Sequence, residues 1–143
     1  MVLRIPGVLT FDFSRDRPLI VGIIKKILKN DQIEIFNSKK NFNNILDCKE
    51  LARIIAFIIK KKYISSGIYN VSASKPIKFI QVVKMIKNML GSDSKIMSKK
   101  AKQKSFIISN NKLKKIFNIK ISTTEKIVKR SCNYILKRKY SYS

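Results

Sequence analysis

Residues 41–62 read NFNNILDCKELARIIAFIIKKK and decide the interpretation of the whole chain. Asp47 occupies a helix N-cap position, since its carboxylate can accept the free backbone N–H groups of the next turn. Glu50 completes a capping-box-like pair and places negative charge in the first turn. Apolar residues then recur at helical spacing: Leu51, Ile54, Ile55, Ile58 and Ile59. The segment predicts a short strand over residues 44–48, followed by a helix too apolar to lie at the surface.

The segments on either side alternate between strand and helix patterns, which is typical of an α/β fold. Residues 2–9 form a continuous apolar run broken by Pro6-Gly7, as expected of a strand buried on both faces of a parallel sheet. A chain that begins inside such a strand is predicted to be truncated. Ser109 and Ser122 stand at cap positions of the last two helices. Helix patterns cover residues 18–30, 79–90, 110–117 and 122–137, and strand patterns cover residues 32–36, 68–71, 95–97 and 106–108.

The domain organisation is simple. The 143 residues, of which 45% are hydrophobic, suit one domain with an ample core. No repeat or linker interrupts the pattern, so residues 1–138 are predicted to form one unit and residues 139–143 a frayed basic tail.

The net charge of +24 has two explanations. A strongly basic surface attracts phosphate-rich partners such as nucleic acid, anionic membranes or phosphorylated metabolites. Alternatively, the charge reflects an AT-rich genome, because Lys, Ile and Asn have AT-rich codons and together fill 62 of the 143 positions. The lysines scatter along the whole chain, which favours the compositional explanation.

Several kinds of chemistry lack their sequence signals. The chain has no histidine, and Cys48 and Cys132 lie far apart, so neither a metal site nor a disulfide framework is predicted and a reducing cytoplasm is the default. No GxGxxG motif occurs, so no dinucleotide-binding loop is expected. The P-loop and GxSxG motifs are absent from the sequence as well. No apolar run approaches the roughly 20 residues that span a membrane. Asp47 and Glu50 are better explained as capping groups than as catalytic groups.

Five segments in order resemble the C-terminal half of the NAD-dependent epimerase/dehydratase family, extended short-chain dehydrogenases that act on nucleotide sugars. LRIPG (residues 3–7) is similar to the family strand that follows its catalytic tyrosine–lysine helix. CKELA (residues 48–52) matches the family's valine-x-aspartate-leucine-alanine, with glutamate in place of the aspartate. GIYNV (residues 67–71), IEIF (residues 33–36) and STTEK (residues 122–126) also follow the family pattern.

The resemblance implies a fold and a missing part. The expected fold is the C-terminal part of a doubly wound Rossmann-like α/β fold with its small substrate-binding lobe, lacking the N-terminal NAD-binding half. The family's glycine-rich NAD motif and its YxxxK dyad would lie upstream of Met1. NAD(P) is therefore implied for the complete enzyme but not for this chain alone, and no residue here is assigned a catalytic, cofactor-binding or metal-binding role.

The resemblance also implies substrate-side candidates: Phe11, Asp12, Arg15, Arg17, Ile35, Asn43 and Lys104. Asn43 occupies a position where family members often place an arginine against the nucleotide phosphates, and it brings no charge. The alternative for the two apolar candidates is ordinary packing, and for the basic candidates it is a solvated surface.

The predicted function is the substrate-binding portion of an NAD(P)-dependent nucleotide-sugar epimerase or dehydratase, as a truncated or split-gene product inactive alone. Its predicted partners are a nucleotide sugar and either a separate N-terminal Rossmann half or further copies of the chain, with no membrane. A small basic nucleic-acid-binding protein is the alternative, although the aromatic residues form no RNP-like pattern. A decayed reading frame is the third explanation. The lone chain is predicted to be marginally folded and to self-associate, because strand edges and apolar faces are exposed.

Overall fold

A computed structural model describes residues 1–10, 18–61, 66–101 and 104–140. Its helices are α1 (Leu19–Leu28), α2 (Cys48–Ile59), α3 (Phe79–Met89), α4 (Asn111–Phe117) and α5 (Thr124–Tyr140). Its strands are β1 (Val2–Arg4), β2 (Val8–Leu9), β3 (Ile33–Phe36), β4 (Asn41–Phe42), β5 (Leu46–Asp47), β6 (Ile68–Asn70), β7 (Ile77–Lys78) and β8 (Ile96–Lys99). Strands and helices alternate, so the chain has the α/β fold that the sequence predicts.

The strands pair two by two in the described part of the chain. β1 pairs with β6, β2 with β5 and β3 with β8, all in parallel, while β4 and β7 are antiparallel. Parallel neighbours need long crossover connections, and at least one helix separates the two strands of each parallel pair in sequence. Pro6-Gly7 divides the single predicted strand over residues 2–9 into β1 and β2, which have different partners.

The core joins β3 to three helices. Ile33 and Ile35 of β3 are buried while Glu34 and Phe36 are exposed, which confirms the strand that the alternation of polar and apolar residues over residues 32–36 predicts. The buried face packs against α1, which contacts α3, and α3 in turn packs against α5. Representative fully buried residues of this core are Ile24, Ile33, Val82, Ile86, Ile127 and Val128.

Helix α2 begins as predicted but lies nearer the surface than predicted. The Asp47 carboxylate accepts a hydrogen bond from the Glu50 backbone N–H at 2.7 Å, which confirms the N-cap. Ile54 and Ile58 are buried, whereas Ile59 is 68% exposed. The prediction of a helix too apolar to lie at the surface is wrong, because only one face of α2 contacts the core and its other face is exposed.

Strand β1 is also less covered than predicted. Val2 is 53% exposed and its register partner Ile68 is 45% exposed, and paired residues of parallel strands point to the same face. Ile5 beyond the strand is half-exposed as well. The prediction of a strand covered on both faces is therefore wrong for β1, since no described element covers the face that carries Val2.

Two local predictions near the end of the chain are wrong. Residues 106–108 form no strand, and the segment is held by side-chain hydrogen bonds instead. Ser122 does not cap α5; the hydroxyl of Thr123 accepts the backbone N–H of Lys126 at 3.1 Å. Ser122 instead donates to Glu50, a distant partner that no local pattern could indicate.

Candidate functional site

Two buried carboxylates, Asp47 and Glu50, and two partly exposed arginines form a charged cluster that joins the start of α2 to α5. The Arg130 guanidinium donates to both oxygens of the Asp47 carboxylate, with Nη2 at 2.7 Å from Oδ1. Glu50 accepts from Arg53 Nη2 at 2.7 Å and from both the backbone N–H and the hydroxyl of Ser122 at 2.8 Å. Each carboxylate therefore has several charged or polar partners, as burial requires.

The protonation state of Glu50 follows from these partners. Burial alone would raise the pKa of Glu50, but the hydrogen bonds from Arg53 and Ser122 outweigh it and lower the pKa from 4.5 to about 2. A carboxylate that stays ionised and fully paired is a poor proton donor or acceptor near neutral pH. Glu50 therefore acts as a structural anchor.

The two thiols differ in exposure. Cys132 is buried, and burial raises the pKa of its thiol to about 12, so it stays protonated and unreactive. Cys48 is half-buried at the start of α2. The described residues contain no group of three His, Cys, Asp or Glu side chains that could hold a metal ion.

Asn43, the residue at the arginine position of the resembled family, is 2% exposed and hydrogen-bonded within the protein. Its Nδ2 donates to Ser72 Oγ at 3.0 Å, to the Ala73 carbonyl at 3.0 Å and to the Ile108 carbonyl at 2.8 Å. Its Oδ1 accepts the Ile108 backbone N–H at 2.9 Å. The amide thus ties the segment before α4 to the end of β6.

Ile35 and Lys104 lie in different surroundings. The Ile35 side chain is 1% exposed and packs in the core, while the next residue, Phe36, is half-exposed on the other face of β3. Lys104 is exposed and, like Phe36, lines a cavity of about 280 Å³. The candidates Phe11, Asp12, Arg15 and Arg17 fall outside the described residues.

Aromatic rings form much of the cavity wall. The four rings come from β3, β4, the start of α3 and the segment before α4: Phe36, Phe42, Phe79 and Phe106. Phe42 and Phe79 are in direct contact, with ring centroids 4.9 Å apart and planes tilted by 41°. Phe106 is 67% exposed, and Phe36 is 50% exposed. The cavity therefore offers flat apolar surface that is partly open to solvent.

A tight turn positions the polar side of the cavity. Asn37 adopts a φ of 53°, a left-handed conformation that Asn tolerates better than most residues. The Lys40 backbone N–H donates to the Asn37 carbonyl at 2.9 Å, and the Lys40 carbonyl accepts the Phe79 N–H at 2.9 Å. The turn is thus hydrogen-bonded to the start of α3, and Lys40 lines the cavity together with Lys104.

Asn44 connects this cavity to a second one. The second cavity, of about 230 Å³, is lined by Gly7 and Pro18 and shares Leu19, Phe42 and Asn44 with the first. The Oδ1 atom of Asn44 is buried and has no hydrogen-bond partner in the described part of the chain.

The arrangement is suited to binding. Two amines, several amides and four phenyl rings around one cavity can hold a ligand with an aromatic ring and negative charge. Sequence reasoning named Lys104 but missed Lys40, Phe42 and Asn44. A signal was present, since residues 36–44 read FNSKKNFNN, a run that mixes Phe, Lys and Asn.

Comparison with known proteins adds fold-level information. The sequence matches no protein-family model and no curated protein. The solved UDP-glucose 4-epimerase of Thermotoga maritima is similar, with 17% identity and a TM-score of 0.73 over 96% of this chain and 46% of that protein. The dTDP-glucose 4,6-dehydratase of Bacillus anthracis has 16% identity and a TM-score of 0.71 over 95% of this chain and 44% of its own.

A third structure, the UDP-glucuronic acid 4-epimerase of Bacillus cereus, is a complex with UDP-glucuronic acid and NAD. It shares 14% identity and a TM-score of 0.72 over 94% of this chain and 44% of that protein. The chain therefore has the α/β fold of nucleotide-sugar epimerase and dehydratase structures, over slightly less than half of their length.

No helix in the described ranges of the chain has the length and hydropathy to cross a membrane.

Proposed function

We propose that the chain is the substrate-binding part of an NAD(P)-dependent nucleotide-sugar epimerase or dehydratase. The observation that carries the proposal is the cavity of about 280 Å³ that combines four phenyl rings with Lys40 and Lys104. A nucleoside diphosphate has the matching chemistry, because its base stacks on aromatic rings and its phosphates attract amines. Solved proteins of the same fold are named for sugars carried on UDP or dTDP.

The proposal gives each part of the cavity a task. The contacting pair Phe42 and Phe79 provides a stacking surface for the base. Lys40 and Lys104, both exposed, attract the diphosphate at the cavity mouth. The second cavity beside Gly7 leaves room for the part of the ligand beyond the first. In this proposal a partner binds NAD(P) and carries out catalysis, because we assign no catalytic role to any residue of this chain.

Isothermal titration calorimetry with UDP tests the proposal. The double variant Lys40→Met with Lys104→Met is expected to weaken UDP binding at least about tenfold, because two charge-assisted contacts to phosphate are lost. The matched control is Lys84→Met, which removes one positive charge from an exposed site on α3 away from the cavity. It should change the affinity by less than about twofold at physiological salt.

Two results would contradict this proposal. If the chain does not bind UDP, the cavity does not serve a nucleoside diphosphate. If the control and the double variant weaken binding equally per charge removed, the attraction comes from the net charge of +24 rather than from the cavity.

The partner is proposed to be a Rossmann-type half that supplies a strand beside β1. β1 pairs with β6 alone in the described part of the chain, and the face that carries Val2 and Ile68 is exposed. An unpaired edge next to exposed apolar side chains favours association with another chain. The chain spans 44–46% of the cited solved proteins, and the proposed partner corresponds to the remaining part of that fold.

Light scattering after size-exclusion chromatography checks the partner proposal. The chain alone is expected to self-associate, and Val2→Lys with Ile68→Lys should reduce that association because charges on the exposed face repel a second copy. Ile116→Lys, at a 51% exposed position on α4, is the control and should have little effect. A monodisperse monomer with a high cooperative thermal transition would contradict the proposal.

A further inference from the structure

One face of α5 carries a stripe of positive charge. Its cations recur at the spacing of neighbours on a helix surface, and they lie beside a lysine in the first turn of α2. Between the two helices is a cavity of about 420 Å³, called the α2–α5 cavity below. Five cations line it: Lys49, Lys126, Lys129, Arg130 and Lys137. No acidic residue of the described part of the chain lines it with them.

Two other lysine-lined cavities differ in this respect. A cavity of about 410 Å³ beside α1 and β3 also contains Asp31 and Glu34. A cavity of about 680 Å³ between α3 and β8 contains Asp93. The positive charge of the chain is therefore less compensated in the α2–α5 cavity than in these two, which raises its attraction for anions.

Arg130 gives the α2–α5 cavity a fixed donor. Its Nε and Nη2 atoms donate to the carboxylate of Asp47, which is 2% exposed. The side chain of Arg130 is itself 25% exposed. Because a guanidinium is planar, holding one edge of it also orients the Nη1 N–H groups of the opposite edge. An anion in the cavity therefore meets a donor that is already oriented, so little side-chain entropy is lost on binding.

The lysines around this donor are adjustable. Lys129 Nζ lies 2.6 Å from Glu125 Oε1, but exposed pairs of this kind are weak and exchange readily. Lys49 and Lys126 are exposed and form no ion pair with any described carboxylate. The helix rises about 16 Å from Lys126 to Lys137, so several anionic groups can bind along it at once.

We propose that the α2–α5 cavity binds an oligophosphate group. Linked phosphates carry several negative charges at short spacing, and both a fixed guanidinium and mobile amines make charge-assisted hydrogen bonds to them. The inference does not rest on the proposed function, and the α2–α5 cavity shares no described lining residue with the cavity of about 280 Å³. A single-stranded nucleic acid is less suitable, because such strands stack successive bases on several aromatic rings. Tyr134 is the one aromatic residue among the described residues that line this cavity.

Isothermal titration calorimetry of the full chain with tripolyphosphate, at about 0.15 M salt, tests the proposal. Tripolyphosphate has no base, so the phenyl rings of the first cavity cannot hold it by stacking. The double variant Lys49→Met with Lys126→Met is expected to weaken binding at least about tenfold, because two amine contacts to phosphate are lost. The matched control, Lys84→Met with Lys95→Met, removes the same charge from the exposed cavity that contains Asp93. It should change the affinity by less than about twofold.

A second pair of substitutions separates the two cavities. Lys40→Met with Lys104→Met should leave the affinity for tripolyphosphate within about twofold of the wild type, because these lysines line the other cavity. The ligand-free thermal midpoint of each variant should match that of the wild type, since the substituted lysines are exposed. If Lys49→Met with Lys126→Met lowers the midpoint, Lys49→Gln with Lys126→Gln takes its place with the same expected loss of binding.

Four results would overturn the proposal. The first is a wild type that does not bind tripolyphosphate at this salt concentration, which leaves the proposed function standing. The second is equal weakening by the matched control, because net charge would then drive the binding. The third is weakening confined to Lys40→Met with Lys104→Met, which would place the phosphates in the first cavity. The fourth is tighter binding of an oligothymidylate than of tripolyphosphate, lost in Lys49→Met with Lys126→Met, which would assign the cavity to nucleic acid.

Discussion

Replacing Glu50 with glutamine is expected to lower the free energy of unfolding by about 3 kcal/mol at neutral pH. Glu50 is 1% exposed and compensates the charge of Arg53 while it accepts two hydrogen bonds from Ser122. Arg130 Nη2 also lies 3.6 Å from Glu50 Oε2. A neutral amide keeps the shape but loses the charge-assisted hydrogen bond to Arg53, and it sets its N–H2 group against one of the two Ser122 donors at a buried position, which is costly.

The matched control for this substitution is Glu125→Gln. Glu125 forms an ion pair with Lys129 on the exposed side of α5, with both side chains about half-exposed. Exposed pairs of this spacing contribute only about 0.3–0.5 kcal/mol, so the control should barely shift the urea midpoint. Equal shifts for the two variants would show that the cluster around Glu50 is no more stabilising than a surface pair.

The same carboxylate predicts a dependence of stability on pH. The pKa of Glu50 is lowered in the folded state from 4.5 to about 2, so its contribution is fully present above the unfolded-state pKa. Protonation removes the contribution as the pH falls through this interval. The difference in stability between wild type and Glu50→Gln should therefore shrink from pH 5 towards pH 2, which urea titrations at each pH can measure. A constant difference would contradict the ionised assignment.

Replacing Tyr69 with alanine is the second large effect, with an expected loss of about 3–5 kcal/mol. Tyr69 lies at the centre of β6 with 1% exposure, and its ring packs edge-on against Phe117 with centroids 5.5 Å apart. Lys112 Nζ lies 4.8 Å from the ring centroid, so removing the ring also removes a cation–π contact. Truncation leaves a cavity between β6 and α4 that the surrounding backbone can fill only partly.

Tyr69→Phe is the control that separates the ring from the hydroxyl. The hydroxyl donates to the Ser66 carbonyl at 3.1 Å in a partly buried setting, and its loss should cost about 0.5–1.5 kcal/mol. Chemical denaturation of both variants measures the two contributions. A phenylalanine variant as unstable as the alanine variant would mean that the hydroxyl, and not the packing of the ring, anchors β6.

The cavity illustrates what local sequence could not predict. Lys40, Phe79 and Lys104 lie far apart in the chain but line one cavity, and a hydrogen bond from the Phe79 N–H to the Lys40 carbonyl holds the turn before β4 against the start of α3. Asn43 and Asn44 are chemically identical neighbours, and no pattern in the sequence says which amide is hydrogen-bonded. That difference depends on the position of the Ile108 backbone, the Ser72 hydroxyl and the Ala73 carbonyl relative to β5.

The sequence by itself determined the alternation of strands and helices, the N-cap at Asp47 and the one-sided burial of β3, because capping and periodicity act between residues close in the chain. Only the tertiary structure decided the partners of Glu50 and the hydrogen bonds that replace the predicted strand at residues 106–108. It also decided that α2 has an uncovered face. These features depend on groups distant in sequence, whose encounter is set by packing and hydrogen-bond satisfaction across the whole fold.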